Sequence, residues 1–531
     1  MYILQHHLKK KNVYFPAPSS KLTLQMDPLV IFLLLAFPVA SVYLLFYHKK
    51  RADDLSSPPG PPGFPIIGNF YQLYKASCAH EYLWDLSKRY GSLMTLHMGS
   101  VPILVVSSAK MAKEVLKTQD LIYCNRPVLT GPRKMSYNGL DVAYGRYSDH
   151  WRQVRKFCTL ELFTQSRAQL CVRPVRQKEV SRMIERLQES AASSKDVNAF
   201  ECFANLSTSV ISGVAFGNRY DEDRLGKDRF QRMVSGLEEM FVGSFMSDYF
   251  PVFGWIDKLS GMNAKLDRTF KELEAFYQQL IDEHLQRDRS ESQTEDLIDV
   301  MLKNKDSSSL SMDTIKAILM DVFIGGTSTS ATVLVWAMTA LMRNPGVMKK
   351  VQEEIRSVIG NKGNVDEEDL QNLPYLAAVV KETMRLYPAG PLLMPRETMK
   401  TSIIGEDKVH MYKIRPKTIV YVSMWAIGRD PENWKNPMEF VPERFMERPD
   451  FNYSGQQFEY IPFGAGRRIC AGINLGITTV ELALANLLYT FDWEPPSGMR
   501  FEDIDDQTVG NNLALHKKNP LYLRPKKYVC P

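Results

Sequence analysis

The most hydrophobic run in the chain comes early. From Leu29 to Tyr47 the sequence LVIFLLLAFPVASVYLLFY carries no charge. Its length is close to the roughly 20 residues needed to cross a bilayer core, so it predicts one spanning helix with a kink tolerated at Pro38. A cleaved signal peptide is disfavoured by length and by the lack of a small-x-small cleavage site. A buried core helix is disfavoured by the adjoining His48, Lys49, Lys50 and Arg51, which hold the following side in the cytosol. Orientation would be clearer if translation began at Met26, because Lys9, Lys10, Lys11 and Lys21 upstream reduce the charge asymmetry; residues 1–25 read as optional. Pro58-Pro59-Gly60-Pro61-Pro62-Gly63-Phe64-Pro65 follows, and its fixed φ angles and missing N–H groups favour an extended polyproline spacer. The predicted order is an extension over 1–28, an anchor over 29–47, a basic stop and proline-rich hinge over 48–65, and one large domain over 66–531.

Within that domain, β-branched runs from Leu93 to Met98 and Ile103 to Val106 flank Gly99 and Pro102 and predict a hairpin. Residues 145–190, 228–246, 264–286, 313–343 and 375–387 carry apolar positions at mixed spacings of three and four, which predicts helices. The stretch from Asp313 to Arg343, ended by Asn344-Pro345-Gly346, would be about 46 Å long at 1.5 Å per residue. Short strands are predicted around 400–424, then a helix over 472–490 and a terminal strand pair. The class is mainly α with a minor β part.

Composition narrows the chemistry. Of 531 residues 44% are hydrophobic and 24% charged, enough for a large core and against a disordered or fibrous chain. The net charge of +6 is too small for a nucleic-acid binder of this size, and fits a membrane surface or an acidic partner. Seven cysteines, Cys78, Cys124, Cys158, Cys171, Cys202, Cys470 and Cys530, form no Cys-x-x-Cys pair, so neither a disulfide scaffold nor a zinc module is indicated.

The segment Phe463-Gly464-Ala465-Gly466-Arg467-Arg468-Ile469-Cys470-Ala471-Gly472 is the chemically suggestive one. It lacks the third glycine of a nucleotide loop. It offers instead a tight glycine-shaped loop that presents one thiol at the start of a helix, where free N–H groups favour thiolate. A lone cysteine is ordinarily an inert buried thiol. As a metal ligand without a neighbouring His or Cys, it points away from zinc and iron–sulfur clusters and toward haem iron, whose other ligands come from the porphyrin.

The pattern Phe-x-x-Gly-x-Arg-x-Cys-x-Gly resembles the haem-binding loop of the cytochrome P-450 superfamily of haem-thiolate monooxygenases, with Cys470 as the axial ligand of haem b. Glu382-Thr383-Met384-Arg385 resembles the family's Glu-x-x-Arg motif and Pro442-Glu443-Arg444-Phe445 its Pro-x-Arg-Phe motif. By spacing alone Glu382 and Arg385 are an ordinary i,i+3 surface pair; the resemblance implies a buried structural triad with Arg444. Trp151-Arg152-Gln153-Val154-Arg155 is similar to the Trp-x-x-x-Arg segment, so the resemblance assigns Arg155, Arg468 and Arg396 to the haem propionates, Trp151 as a further donor and Phe463 to the haem loop.

Gly325-Gly326-Thr327-Ser328-Thr329-Ser330 resembles the oxygen-binding motif of the family. Gly326 would give room for dioxygen and Thr329 would help deliver protons. Ser328 departs from the usual acid, and a serine can order a water but cannot relay a proton as a carboxylate does.

The resemblance further implies an endoplasmic reticulum protein with its catalytic domain on the cytosolic face. Electrons from NADPH would arrive through NADPH–cytochrome P-450 reductase, since the chain carries no flavin or nicotinamide fingerprint of its own. Met135, Phe241, Phe245, Phe323, Leu392, Leu393, Met394 and Leu513 would supply an apolar lining for a small hydrophobic or aromatic plant metabolite. The anchor, the hinge and Arg126 to Gly139 look most like the plant microsomal branch, near its aldoxime-oxidising members. Two other readings stay open: a haem-thiolate isomerase or dehydratase that needs no reductase, and a non-catalytic haem-binding protein.

Overall fold

The computed structural model describes residues 57–217, 227–286, 295–306, 310–406, 410–510 and 513–529. The predicted anchor over 29–47, with the extension before it and the basic residues after it, lies outside them. The proline-rich stretch is laid along the first strand: the Thr95 amide donates to Pro59 O at 2.9 Å. Gly60 is so close to this strand that a Cβ would sit 1.8 Å from Thr95 O.

The predicted hairpin is present. Strands β1 (Leu93–Met98) and β2 (Val101–Val106) pair antiparallel with Leu93 opposite Val106 and Met98 opposite Val101. Two later strands, β3 (Arg396–Glu397) and β4 (Ile419–Val422), complete a sheet of order β1-β2-β4-β3, in which β2 and β4 run parallel. A parallel pair needs a long crossover, and here most of the helices lie between its two strands. The short edge strand β3 brings Arg396 into the interior.

The helices that build the core are α1 (Asp149–Phe157), α2 (Arg173–Ala192), α3 (Ala199–Phe216), α4 (Lys227–Val242), α5 (Met262–Gln286), α6 (Met312–Arg343), α7 (Pro345–Ile359), α8 (Pro374–Leu386) and α9 (Ile473–Thr490). The single helical run expected over 145–190 is not continuous. Helix α1 starts only after Ser148, whose Oγ caps the Trp151 amide at 3.1 Å. It then widens into a π turn over Cys158–Leu162, and a second π turn over Ala168–Val172 precedes α2. Pro174 near the start of α2 has no amide to donate to the preceding turn, which accounts for the interruption there.

Helix α6 is capped by Ser311 Oγ on the Thr314 amide at 3.0 Å and ends at Asn344, where Pro345 starts α7. Helices α3 and α6 are long and apolar enough to cross a membrane, but both are packed inside the protein. Apolar residues on all sides of α6 are those of a helix at the centre of a large core. Its contact with α3 depends on Gly326: a Cβ there would lie 2.2 Å from Ile211 Cδ1. Gly326→Ala is therefore expected to destabilise the domain by about 1–3 kcal/mol through overpacking, with partial recovery in the Gly326→Ala/Ile211→Ala pair. Chemical denaturation of the four proteins of this cycle measures the coupling.

Candidate active site

The cysteine loop is shaped by two glycines in the left-handed region, Gly464 at φ 72° and Gly466 at φ 69°. Gly466 is also pressed against its neighbours, since a Cβ would sit 2.1 Å from Leu116 O. The loop closes on itself through the Cys470 amide, which donates to Phe463 O at 3.1 Å. The Phe463 ring stands edge-on to Tyr453 at 5.5 Å.

Cys470 lies deep in the protein, yet its side chain is accessible, so it faces an internal hollow rather than packed atoms. Burial pushes its thiol above the ordinary range; the Gly472 amide and the Arg155 charge pull the other way but do not win. The expected stabilisation of thiolate by the start of α9 is thus outweighed by desolvation, and ligation would displace a proton. Cys158 is buried by close packing, and burial pushes its thiol up to about 12.

Around this loop are four buried or partly buried arginines that use backbone carbonyls as acceptors. Arg155 Nη2 donates to Ile469 O at 2.5 Å. Arg468 donates to Cys124 O at 2.8 Å, Val142 O at 3.1 Å and Gly145 O at 2.7 Å. Arg396 reaches Ala465 O at 3.1 Å and Asp120 Oδ1 at 3.3 Å. The fourth, Arg126, reaches Ala143 O at 2.8 Å, Met394 O at 2.9 Å and Pro395 O at 2.6 Å. Asp120 is shared with Arg467 at 2.7 Å.

Burial brings Arg468 down to about 10, and burial with repulsion from Arg468 and Arg396 lowers Arg126 well below the usual arginine range. Such a cluster gains from an added anion. Arg126 has no role among the sequence-based expectations; its place before Pro127, in the segment Arg126 to Gly139, is the signal the chain offers. Trp151 differs from expectation. Its Nε1–H is given to Val142 O at 2.9 Å, and its ring lies under the Arg468 guanidinium at 3.9 Å, because the turn over 142–145 brings that carbonyl within reach.

On α6, Gly325 is exposed and Gly326 and Thr329 are half-buried, and Thr329 Oγ1 donates to Gly325 O at 2.7 Å. Gly325 would have nothing within 4 Å of a Cβ, whereas Gly326 abuts α3. The open glycine is therefore Gly325 and not Gly326, as the rotation of about 100° per helical residue requires. Ser328 is buried, and its Oγ has no hydrogen-bond partner among the described residues.

Glu382, Arg385 and Arg444 meet away from solvent. Arg385 forks onto Glu382 at 2.7 and 2.8 Å and donates to Gly428 O, Pro437 O and Glu439 O at 2.5, 2.7 and 2.9 Å. Arg444 Nε joins Glu382 Oε1 at 3.0 Å, as does the Val441 amide at 2.8 Å. The surface pair suggested by spacing alone is not what forms, because the segment over 428–441 folds over it.

Of the apolar candidates, Met135, Phe245 and Phe323 are enclosed core, while Leu392, Leu393, Met394 and Leu513 keep some accessibility. Leu393 approaches the cysteine loop, 3.8 Å from where a Gly464 Cβ would be. A half-open cleft of about 960 Å³ between Thr130–Met135, α5 and the start of α6 is lined by none of the cysteine-loop residues.

A family model described as cytochrome P450 matches residues 58–524. The chain belongs to the cytochrome P450 family. It is 78% identical to the 5-OH-xanthotoxin synthase of Pastinaca sativa, over 95% of this chain and 100% of that protein. It is 75% identical to the 6,7,8-trihydroxycoumarin synthase of the same plant, with the same coverage. Neither of these two relatives is named for an aldoxime. A zebrafish cytochrome P450 solved with abiraterone shares the fold at TM-score 0.72 and 23% identity, over 85% of this chain and 100% of that one.

This cytochrome P450 is an oxidoreductase of the plant monooxygenase type, and its fold implies a haem iron with electrons from NADPH delivered through a reductase. The residues present fit haem on three counts: an accessible thiol deep in the protein, an open glycine on α6, and buried cations in excess of nearby carboxylates. Removing one partner of the Glu382 cluster leaves a buried unpaired charge. Glu382→Ala is expected to cost about 3–5 kcal/mol, which denaturant unfolding of the purified protein reads.

Proposed function

We propose that this cytochrome P450 hydroxylates a planar coumarin-type plant metabolite, with Cys470 as the iron ligand. The observation that carries the reading is the accessible Cys470 thiol within a ring of cationic side chains, in a chain 78% and 75% identical to enzymes named for a hydroxylated xanthotoxin and a trihydroxycoumarin. A third relative at 68% identity is named xanthotoxol synthase. In this reading Cys470 holds the iron as thiolate after losing its proton, and Arg126, Arg155, Arg396 and Arg468 hold the two propionates. Trp151 supports the Arg468 plane, and Phe463 walls the loop. Haem, once bound, supplies the activation of dioxygen.

The remaining work falls to side chains of α6. Gly325 leaves space, Thr329 holds a hydroxyl proton at its accessible Oγ1, and the unpartnered Ser328 Oγ orders water in place of a carboxylate. Glu382, Arg385 and Arg444 brace the loop side. Leu392, Leu393, Met394 and Leu513 exclude water from a flat aromatic substrate.

The setting is the endoplasmic reticulum membrane with the catalytic domain facing the cytosol. Phe64, Ile66, Tyr71 and Tyr74 are exposed, as are Val252, Phe253, Trp255 and Leu259. Ring contacts of Phe250 with Phe70 at 5.5 Å and with Phe253 at 6.5 Å join the two groups into one apolar face suited to lipid. Exposed Arg152, Lys156 and Arg467 offer a basic surface near the cysteine loop for an acidic reductase. The missing acid at Ser328 keeps a second reading open, rearrangement or dehydration of an oxygenated substrate without reductase.

Microsomes containing this enzyme and reductase, given a panel of coumarins and unrelated aromatic metabolites, should form a product one oxygen heavier from a coumarin, and only with NADPH. Product without NADPH would establish the second reading, and turnover confined to non-coumarins would overturn the substrate class. Ser328→Asp is expected to raise product formed per NADPH consumed, measured on the same substrate; unchanged coupling would count against a proton-delivery role for this position.

A further inference from the structure

The loop over 140–146 joins the arginine cluster to α6. Its carbonyls face the cations: Val142 O takes Arg468 and Trp151, Ala143 O takes Arg126, and Gly145 O takes Arg468. Its amides face two acids. Val142 N and Ala143 N donate to Asp321 Oδ2 at 2.7 and 3.1 Å, and Tyr144 N donates to Asp141 Oδ2 at 2.9 Å. Asp321 stands on α6, one helical turn before Gly325.

These bonds account for one oxygen of each carboxyl. The other two, Asp141 Oδ1 and Asp321 Oδ1, are buried and receive no donor from the described residues. The two carboxyls thus take the successive amides 142, 143 and 144 of one loop, each keeping a buried oxygen that no donor fills, and the charge of Asp141 raises Asp321. Two neighbouring carboxylates out of water cannot both stay ionised, and a proton on one gives the other the donor it lacks.

We propose that Asp141 and Asp321 share one proton at neutral pH, and that this proton fastens the 140–146 loop to α6, making Asp321 a positioning residue for Arg468 and Arg126. The charged groups near the pair are Arg468 and Arg126 beside Asp141 and Arg155 beside Asp321, all three already bonded to carbonyls. Tyr144, Tyr277 and Cys158 complete the surroundings, and burial keeps all three neutral. Burial, with repulsion from Asp141, holds Asp321 well above the usual carboxyl range, and burial raises Asp141 to about 6. The shared proton does not depend on the haem reading; its consequence for the arginines does.

The sign follows from linkage. The folded protein keeps a proton that the unfolded chain gives up above about pH 5, so stability contributed by the pair falls as pH rises toward the upper pKa of the pair. Asp321→Asn retains an acceptor for the two amides and offers Asp141 an N–H, so it removes the titration without removing the contact.

The test is urea unfolding of the holoprotein as wild type and as Asp321→Asn. The ratio of their unfolding constants should change with pH above about pH 5, by up to about tenfold per pH unit, the wild type losing stability relative to Asp321→Asn as pH rises. Infrared spectra of the wild type should show a protonated carboxyl band that either Asp141→Asn or Asp321→Asn removes. A pH-independent ratio, or a wild-type spectrum lacking a band sensitive to these substitutions, would overturn the shared proton. Asp321→Ala should lose haem to an apoprotein acceptor faster than Asp321→Asn; equal rates would overturn the positioning role while leaving the proton in place.

Discussion

The site depends on positive charge kept inside the protein. Arg126, Arg155, Arg396 and Arg468 are drawn together around the cysteine loop, and their main partners are backbone carbonyls, with Asp120 the carboxylate that meets Arg396. Carbonyls orient a guanidinium but do not neutralise it, so an interior built this way retains a demand for anions. In the proposed reading a dianionic porphyrin edge would meet that demand, and the accessible Cys470 nearby would meet the iron. The same guanidinium bonds fix three otherwise irregular segments, over 124–126, 142–145 and 465–469, relative to one another.

The rest of the fold serves this arrangement. The edge strand β3 delivers Arg396, α1 delivers Arg155 and Trp151, and the loop before α1 delivers the carbonyls that Arg468 needs. Helix α6 crosses the core at the distance set by Gly326 against Ile211, so that the neighbouring Gly325 and Thr329 remain accessible. Glu382 and Arg385 hold down the segment over 428–441. Polar groups in this core therefore act as ties between segments that lack regular hydrogen bonding of their own.

Much of this could be read from the chain because its signals are local. Asn344-Pro345-Gly346 ends α6 where the sequence places its end, and the spacing of Gly464, Gly466 and Cys470 describes a turn before a helix. What could not be read was set by tertiary contact. Nothing in the Glu382-x-x-Arg385 spacing distinguishes a surface pair from a buried one until the segment over 428–441 covers it. The Trp151 indole was expected to face the cofactor, but a carbonyl nine residues upstream claims its N–H. Arg126 and Asp321 carry no motif, and it is the fold that brings both onto the 140–146 loop. The choice between Gly325 and Gly326 turned on which helix face α3 occupies.

The central claim is that Cys470 binds haem iron as a thiolate, and the reduced carbon-monoxide difference spectrum of the wild type beside Cys470→Ala tests it most directly. The account predicts the red-shifted Soret band of a thiolate-ligated haem in the wild type and its loss in Cys470→Ala. An unchanged Soret shift in Cys470→Ala would contradict it.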